Sequence, residues 1–251
     1  MSKNKFVIVT NQRSGSNMLV SMINSHPDIK CFGELMRITP DWMKRDGYRG
    51  ALRILEKVNH VYRDDVYRFS HPYDFVNAVF STAAKKNIYG FKQHMDQNSD
   101  FLYNLIKDPG WKILLLQREN KLAQYSSQKI SQVTGQGNAP RGTKILRTKV
   151  EFKEKEFKNF VKRKEKEWNV VRQKLESIDE DYYTIKYTDL NSRSASGSIL
   201  EFIGVDSSFQ MVPGTEKRNS SDVLSRFSNP ENTLKVLKQM RCSEWVEEVF
   251  T

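Results

Sequence analysis

Thr10-Asn11-Gln12-Arg13-Ser14-Gly15-Ser16-Asn17 places an arginine, three hydroxyls and a glycine between an apolar run, Phe6 to Val9, and the helix-compatible stretch Met18 to Asn24. A loop joining a strand to a helix offers free backbone N–H groups at the positive end of the helix dipole, so these residue types make an anion site there, with phosphate the obvious ligand. An ordinary turn with a serine N-cap has the same composition, and the segment is not a Walker A motif: it carries only Gly15 and no lysine before the hydroxyl residue. A second constellation narrows the choice. After Ile113-Leu114-Leu115-Leu116 come Arg118 and, eight residues on, Ser126, on a helix turned back toward the same sheet edge and suited to a second phosphate.

The elements that must position these groups follow from the pattern. Phe6 to Val9, Ile88 to Phe91, Lys112 to Gln117 and Tyr182 to Tyr187 read as strands, the third fully buried. Met18 to Asn24, Asp100 to Lys107, Lys121 to Ile130, Ser198 to Ile203 and Glu231 to Val249 read as helices, and Lys153 to Ser177 as a long amphipathic one. Ile54, Leu55 and Val58, then Phe75, Val76, Val79 and Phe80, give residues 41–86 the spacing of connecting helices. Ser131 to Thr143 collects Ser, Thr, Gly, Asn and Pro and reads as an exposed, mobile loop fit to act as a lid. The expectation is an α/β fold, a central mainly parallel sheet flanked by helices, in a single domain 1–251 with a helical insertion about 35–86 and a mobile loop about 131–150.

The 251 residues suffice for a real core and exclude a disulfide-stapled mini-protein. A net charge of +11 predicts attraction to anions. No apolar run approaches the roughly 20 residues of a membrane span. Met1 to Lys5 lacks the apolar core of a signal peptide, so the expectation is a cytoplasmic protein without an integral membrane segment. Two cysteines and four scattered histidines offer no metal-ligand spacing.

Arg13-Ser14-Gly15-Ser16 after the first strand, with Leu116-Gln117-Arg118 and Ser126, resembles the cofactor signature of sulfotransferases. Tyr187-Thr188-Asp189-Leu190 and Phe202-Ile203-Gly204-Val205 are similar to two further segments of that family, and Gly33-Glu34 resembles an element of its bacterial carbohydrate and glycolipid members. The resemblance implies a P-loop-like fold and the donor 3′-phosphoadenosine 5′-phosphosulfate (PAPS), which leaves as adenosine 3′,5′-bisphosphate with no metal required. It implies that Arg13, Ser14, Gly15, Ser16 and Asn17 cradle the 5′-phosphosulfate, Asn17 standing where many members have Thr or Ser, and that Arg118 and Ser126 hold the 3′-phosphate. Lys217 and Arg218 are the candidates for a third donor contact.

Sulfuryl transfer to a hydroxyl is mainly positioning and charge stabilisation, with Arg13 neutralising the transferring group and the leaving phosphate. Two bases are open for the hydroxyl: Glu34, as in the carbohydrate enzymes, and His94, because Lys92-Gln93-His94 resembles the Lys-x-His of cytosolic sulfotransferases, in which the lysine assists. The acceptor expected is a hydroxyl of a carbohydrate or glycolipid. Two rivals compete. A P-loop-like nucleotide kinase or other phosphoryl-transfer enzyme lacks its Walker lysine here. A basic nucleic-acid-binding protein would use the helix from Lys153, but Glu154, Glu156, Glu165 and Glu167 dilute that stripe, so no nucleic-acid partner is expected. The sequence leaves the oligomeric state open, a homodimer included.

Overall fold

The computed structural model describes residues 4–37, 54–178 and 182–250. Five parallel strands form one sheet: β1 (Lys5–Thr10) lies between β3 (Ile88–His94) and β4 (Trp111–Gln117), with β2 (Ile29–Glu34) outside β3 and β5 (Tyr182–Lys186) outside β4. Strands β1 and β4 are apolar on both faces because both faces are covered. Phe6, Ile8, Leu114 and Leu116 face α1 (Ser16–Ile23) and α7 (Arg193–Ile203). Val7, Val9, Ile113 and Leu115 face α3 (Pro72–Ser81), α4 (Ser99–Lys107) and α6 (Glu154–Glu176). The period-2 alternation of a strand assigns these sets to opposite layers. Truncating a central member such as Leu114 to Ala would cost about 2–5 kcal/mol through lost burial and the cavity left behind.

A third apolar cluster joins α5 (Lys121–Thr134) and α6 to α8 (Pro230–Gln239) through Leu122, Phe157, Phe227, Val236 and Leu237. Close packing also decides Gly90, where a Cβ would run into the Phe6 ring of the neighbouring strand. No helix among the described residues is long and apolar enough to cross a membrane.

Several boundaries differ from the sequence reading, each for a local reason. Strand β2 was not anticipated, because Ile29-Lys30-Cys31-Phe32-Gly33-Glu34 is an edge strand of mixed polarity. Strand β3 runs on to His94, since Lys92, Gln93 and His94 pair with Ile8, Val9 and Thr10. Helix α5 continues to Thr134 and ends on Gly135 in the left-handed region at φ 67°, so the irregular segment starts four residues later than expected, and it buries Ala139, Val150 and Phe152. The terminal helix stops at Gln239, followed by Arg241 at φ 56° and a 3-10 turn at Ser243–Val246. In the insertion, α2 (Asp65–Ser70) and α3 are helical, whereas residues 38–53 lie outside the described residues.

Candidate active site

The carboxyl ends of β1, β2, β3 and β4 meet the N-terminus of α1, the usual place for ligands in an open parallel sheet. The loop between β1 and α1 turns through Arg13 at φ 64° and Gly15 at φ 84°. At Gly15 the conformation favours glycine, and a Cβ would also collide with the Tyr187 ring that lies against the loop. Helix α1 has no side-chain cap and no acidic residue in its first turn, which leaves its leading N–H groups to an anion. Helix α5 anchors the loop from behind: Gln124 Nε2 donates to Gln12 O at 2.6 Å and to Ser14 Oγ at 3.2 Å.

Cations crowd one end of the site. Arg13 donates to Ser127 Oγ from Nε (3.2 Å) and Nη2 (3.1 Å), and to Gly137 O from Nη1 (2.6 Å). Burial, and then the neighbouring Arg218 and Arg118, lower its pKa to about 10, which keeps it charged at neutral pH. Arg118, 5% exposed, stacks on the Tyr187 ring at 4.3 Å and donates from Nη1 to Arg13 O at 2.8 Å. Its Nε donates to Glu248 Oε1 at 2.8 Å, and its Nη2 pairs with Glu248 Oε2. Lys217 Nζ reaches Glu248 O at 3.0 Å, and Arg218 Nη1 donates to Gln136 O while its Nη2 is buried without a hydrogen-bond partner.

The other end is built by strand register. Phe32 pairs with Phe91 and Glu34 with Lys92, so Gly33 is the extra residue of a bulge that brings the carboxylate opposite the ammonium. Lys92 Nζ stands 3.0 Å from Glu34 Oε1 and donates to Asn17 Oδ1 at 2.6 Å; Gln97 Nε2 donates to Glu34 Oε2 at 3.1 Å. Burial alone would raise the Glu34 pKa, but the Lys92 charge reverses the balance and lowers it to about 2. His94 Nδ1 is 3.5 Å from Glu34 Oε2, and neither ring nitrogen has a hydrogen-bond partner among the described residues. Burial holds the His94 pKa below its ordinary value despite the carboxylate, so the ring is neutral at pH 7.

Both ends open into one cleft of about 600 Å³. Arg13, Gly15, Ser16, Asn17, Glu34, Lys92, His94, Arg118, Lys217 and Arg218 all line it. Ser14 and Ser126 lie behind the wall: Ser126 is 0% exposed, donates to Ala123 O at 3.0 Å and accepts from Arg226 Nη1 at 3.0 Å, while Ser127 lines the cleft instead. The segment after α5 forms part of the wall and is fastened to the residues before Lys217, with Pro140 bridged to Thr215 and Glu216 N donating to Ala139 O at 3.0 Å. Asn17, Glu34, Arg37 and Lys92 are shared with a second cleft flanked by Lys30, Lys57 and Lys86. Sequence reasoning missed Arg37, Ser127, Arg226 and Glu248; the signal available was the charge of the two arginines and of the glutamate, which does not point to a position.

The chain matches the model of a family described as the sulfotransferase family over residues 5–208. A sulfotransferase from Alicyclobacillus acidocaldarius is similar in structure, with 15% identity, a TM-score of 0.48 and coverage of 97% of this chain and 95% of that one. The sulfotransferase domain of the Synechococcus PCC 7002 olefin synthase gives 15% identity, a TM-score of 0.44 and coverage of 96% and 94%. A search of curated proteins finds no match.

Proposed function

Since the chain belongs to the sulfotransferase family, a family of transferases, we propose that it moves a sulfuryl group from PAPS to a hydroxyl of a carbohydrate or glycolipid. The observation that carries this reading is the junction, in one cleft, of a cationic end formed by Arg13, Arg118, Lys217 and Arg218 with a carboxylate end formed by Glu34 and Lys92. The cationic end fits a nucleotide with phosphates at two positions. The uncapped first turn of α1 and Arg13 suit the phosphosulfate, and Arg118 with the unpartnered Nη2 of Arg218 suits the 3′-phosphate.

When bound, the donor supplies an electrophilic sulfur, and the acceptor oxygen displaces adenosine 3′,5′-bisphosphate in line. The protein's part is to hold both reactants and to take one proton. Glu34 is the base: its side chain is 20% exposed and faces both clefts, whereas both His94 nitrogens are sealed from solvent. Held ionised at neutral pH, it is free to accept a proton that becomes acidic only as the new O–S bond forms. As Glu34 takes that proton, its ion pair with Lys92 weakens. The ammonium, still held by Asn17, would then be free to stabilise negative charge on a bound donor. The acceptor reaches this point through the second cleft.

The test is release of adenosine 3′,5′-bisphosphate from PAPS with a panel of mono- and disaccharides and glycolipids. Acceptor-dependent release is expected with at least one of them. Release that no carbohydrate or glycolipid raises above the acceptor-free rate would overturn the acceptor assignment.

A further inference from the structure

The contact that the sequence motifs do not account for is the clasp on Arg118. Glu248 lies 130 positions downstream, is 4% exposed, and grips the guanidinium through two of its nitrogens. With Nη1 bound to Arg13 O, three of the five N–H groups are committed, and the plane rests on Tyr187 at 4.3 Å. Two N–H groups remain on a side chain that lines the cleft. The arginine is therefore fixed in direction before any ligand arrives.

The carboxylate is itself fixed. Glu248 N donates to Ser221 O at 2.9 Å, and Val223 N donates to Val246 O at 2.8 Å. Lys217 Nζ donates to Glu248 O at 3.0 Å, and the Phe250 ring packs 5.0 Å from Tyr187 and 4.8 Å from Lys217 Nζ. The C-terminal segment is thus fastened to the stretch that carries Lys217 and Arg218. Charge balance gives the clasp its purpose, because Arg118 repels Arg13, Arg218 and Arg226, and Glu248 is the carboxylate it grips. Without it, repulsion would drive the guanidinium out of its stacked position.

We propose that Glu248 is a positioning residue of the donor site, holding Arg118 so that it selects a nucleotide with a 3′-phosphate over one without. The inference rests on the donor reading given above. Its test is calorimetric titration of the full chain, wild type, Glu248→Gln and Glu248→Asp, with adenosine 3′,5′-bisphosphate and with adenosine 5′-monophosphate. The wild type prefers the bisphosphate. Glu248→Gln loses about tenfold or more of its affinity for the bisphosphate, the size of a lost hydrogen bond to a charged group. Its affinity for the monophosphate stays within about twofold, since that ligand does not use Arg118. Glu248→Asp, which keeps the charge but shortens the reach, falls between.

Equal losses for both nucleotides would show a merely structural role and overturn the proposal. So would unchanged selectivity, or tighter bisphosphate binding by Glu248→Gln, which would make the carboxylate a competitor. A wild type that does not prefer the bisphosphate would instead overturn the donor reading.

Discussion

The two ends of the cleft solve opposite electrostatic problems. At the carboxylate end one acid meets one ammonium across adjacent strands, and the pair is close to neutral before anything binds. At the cationic end Arg13, Lys217, Arg218 and Arg226 gather around Arg118, which Glu248 grips, so the excess positive charge persists until an anion arrives. In the proposed reading the first arrangement holds a base for proton transfer and the second attracts a multiply charged donor. Binding and proton transfer should therefore be separable by mutation.

Glu34→Gln should have the largest effect, lowering kcat about 10²–10⁴-fold, the usual contribution of a general base. Bisphosphate affinity should stay unchanged, as measured by steady-state kinetics beside calorimetry. A matching loss of nucleotide affinity would break the separation. Arg118→Ala should show the opposite signature. It leaves Glu248 buried and unpaired, at a cost of about 3–5 kcal/mol in denaturant unfolding, and it weakens bisphosphate binding. Full affinity in that variant would remove Arg118 from the donor site.

Acid acts on the carboxylate end through Glu34 and His94. Glu34, at about 2 in the folded chain against 4.5 unfolded, contributes about 3 kcal/mol that is complete above pH 4.5 and lost as pH falls through about 2. Unfolding curves from pH 7 to pH 2 should show this loss in the wild type and not in Glu34→Gln. His94 gives an effect of the same sign at higher pH. Below its ordinary value of 6.5 the unfolded chain takes up a proton that the buried ring refuses, so stability falls as pH drops from there. His94→Gln should flatten that upper part of the curve; an unchanged slope would mean that the ring is charged in the folded state.

The pieces of the carboxylate end were legible in the sequence because each is a short local segment. The apolar runs of β1 and β4 announced buried parallel strands, and Gly33-Glu34 and Lys92-Gln93-His94 stood out as short segments. What could not be read was that a bulge at Gly33 would set Glu34 opposite Lys92, since β2 itself lacks a strand-like pattern. The loop at Arg13 was equally visible, being a strand, a turn and a helix in succession. Its partners were not. Glu248 lies inside Glu231 to Val249, which reads as one continuous terminal helix, and Arg226 lies 100 positions from the hydroxyl it covers. Local periodicity carries no trace of such contacts, and the spacing of Arg118 and Ser126 could not show that Arg226 would seal the serine away.

The proposed function requires that the cationic end bind an adenosine bisphosphate. Thermal denaturation with adenosine 3′,5′-bisphosphate and, in parallel, with ATP and Mg²⁺ tests it most directly, because selective ligands raise the midpoint by mass action. The expected result is a rise with the bisphosphate that Arg118→Ala diminishes; a rise only with ATP and Mg²⁺, or none with the bisphosphate, would rule the donor assignment out.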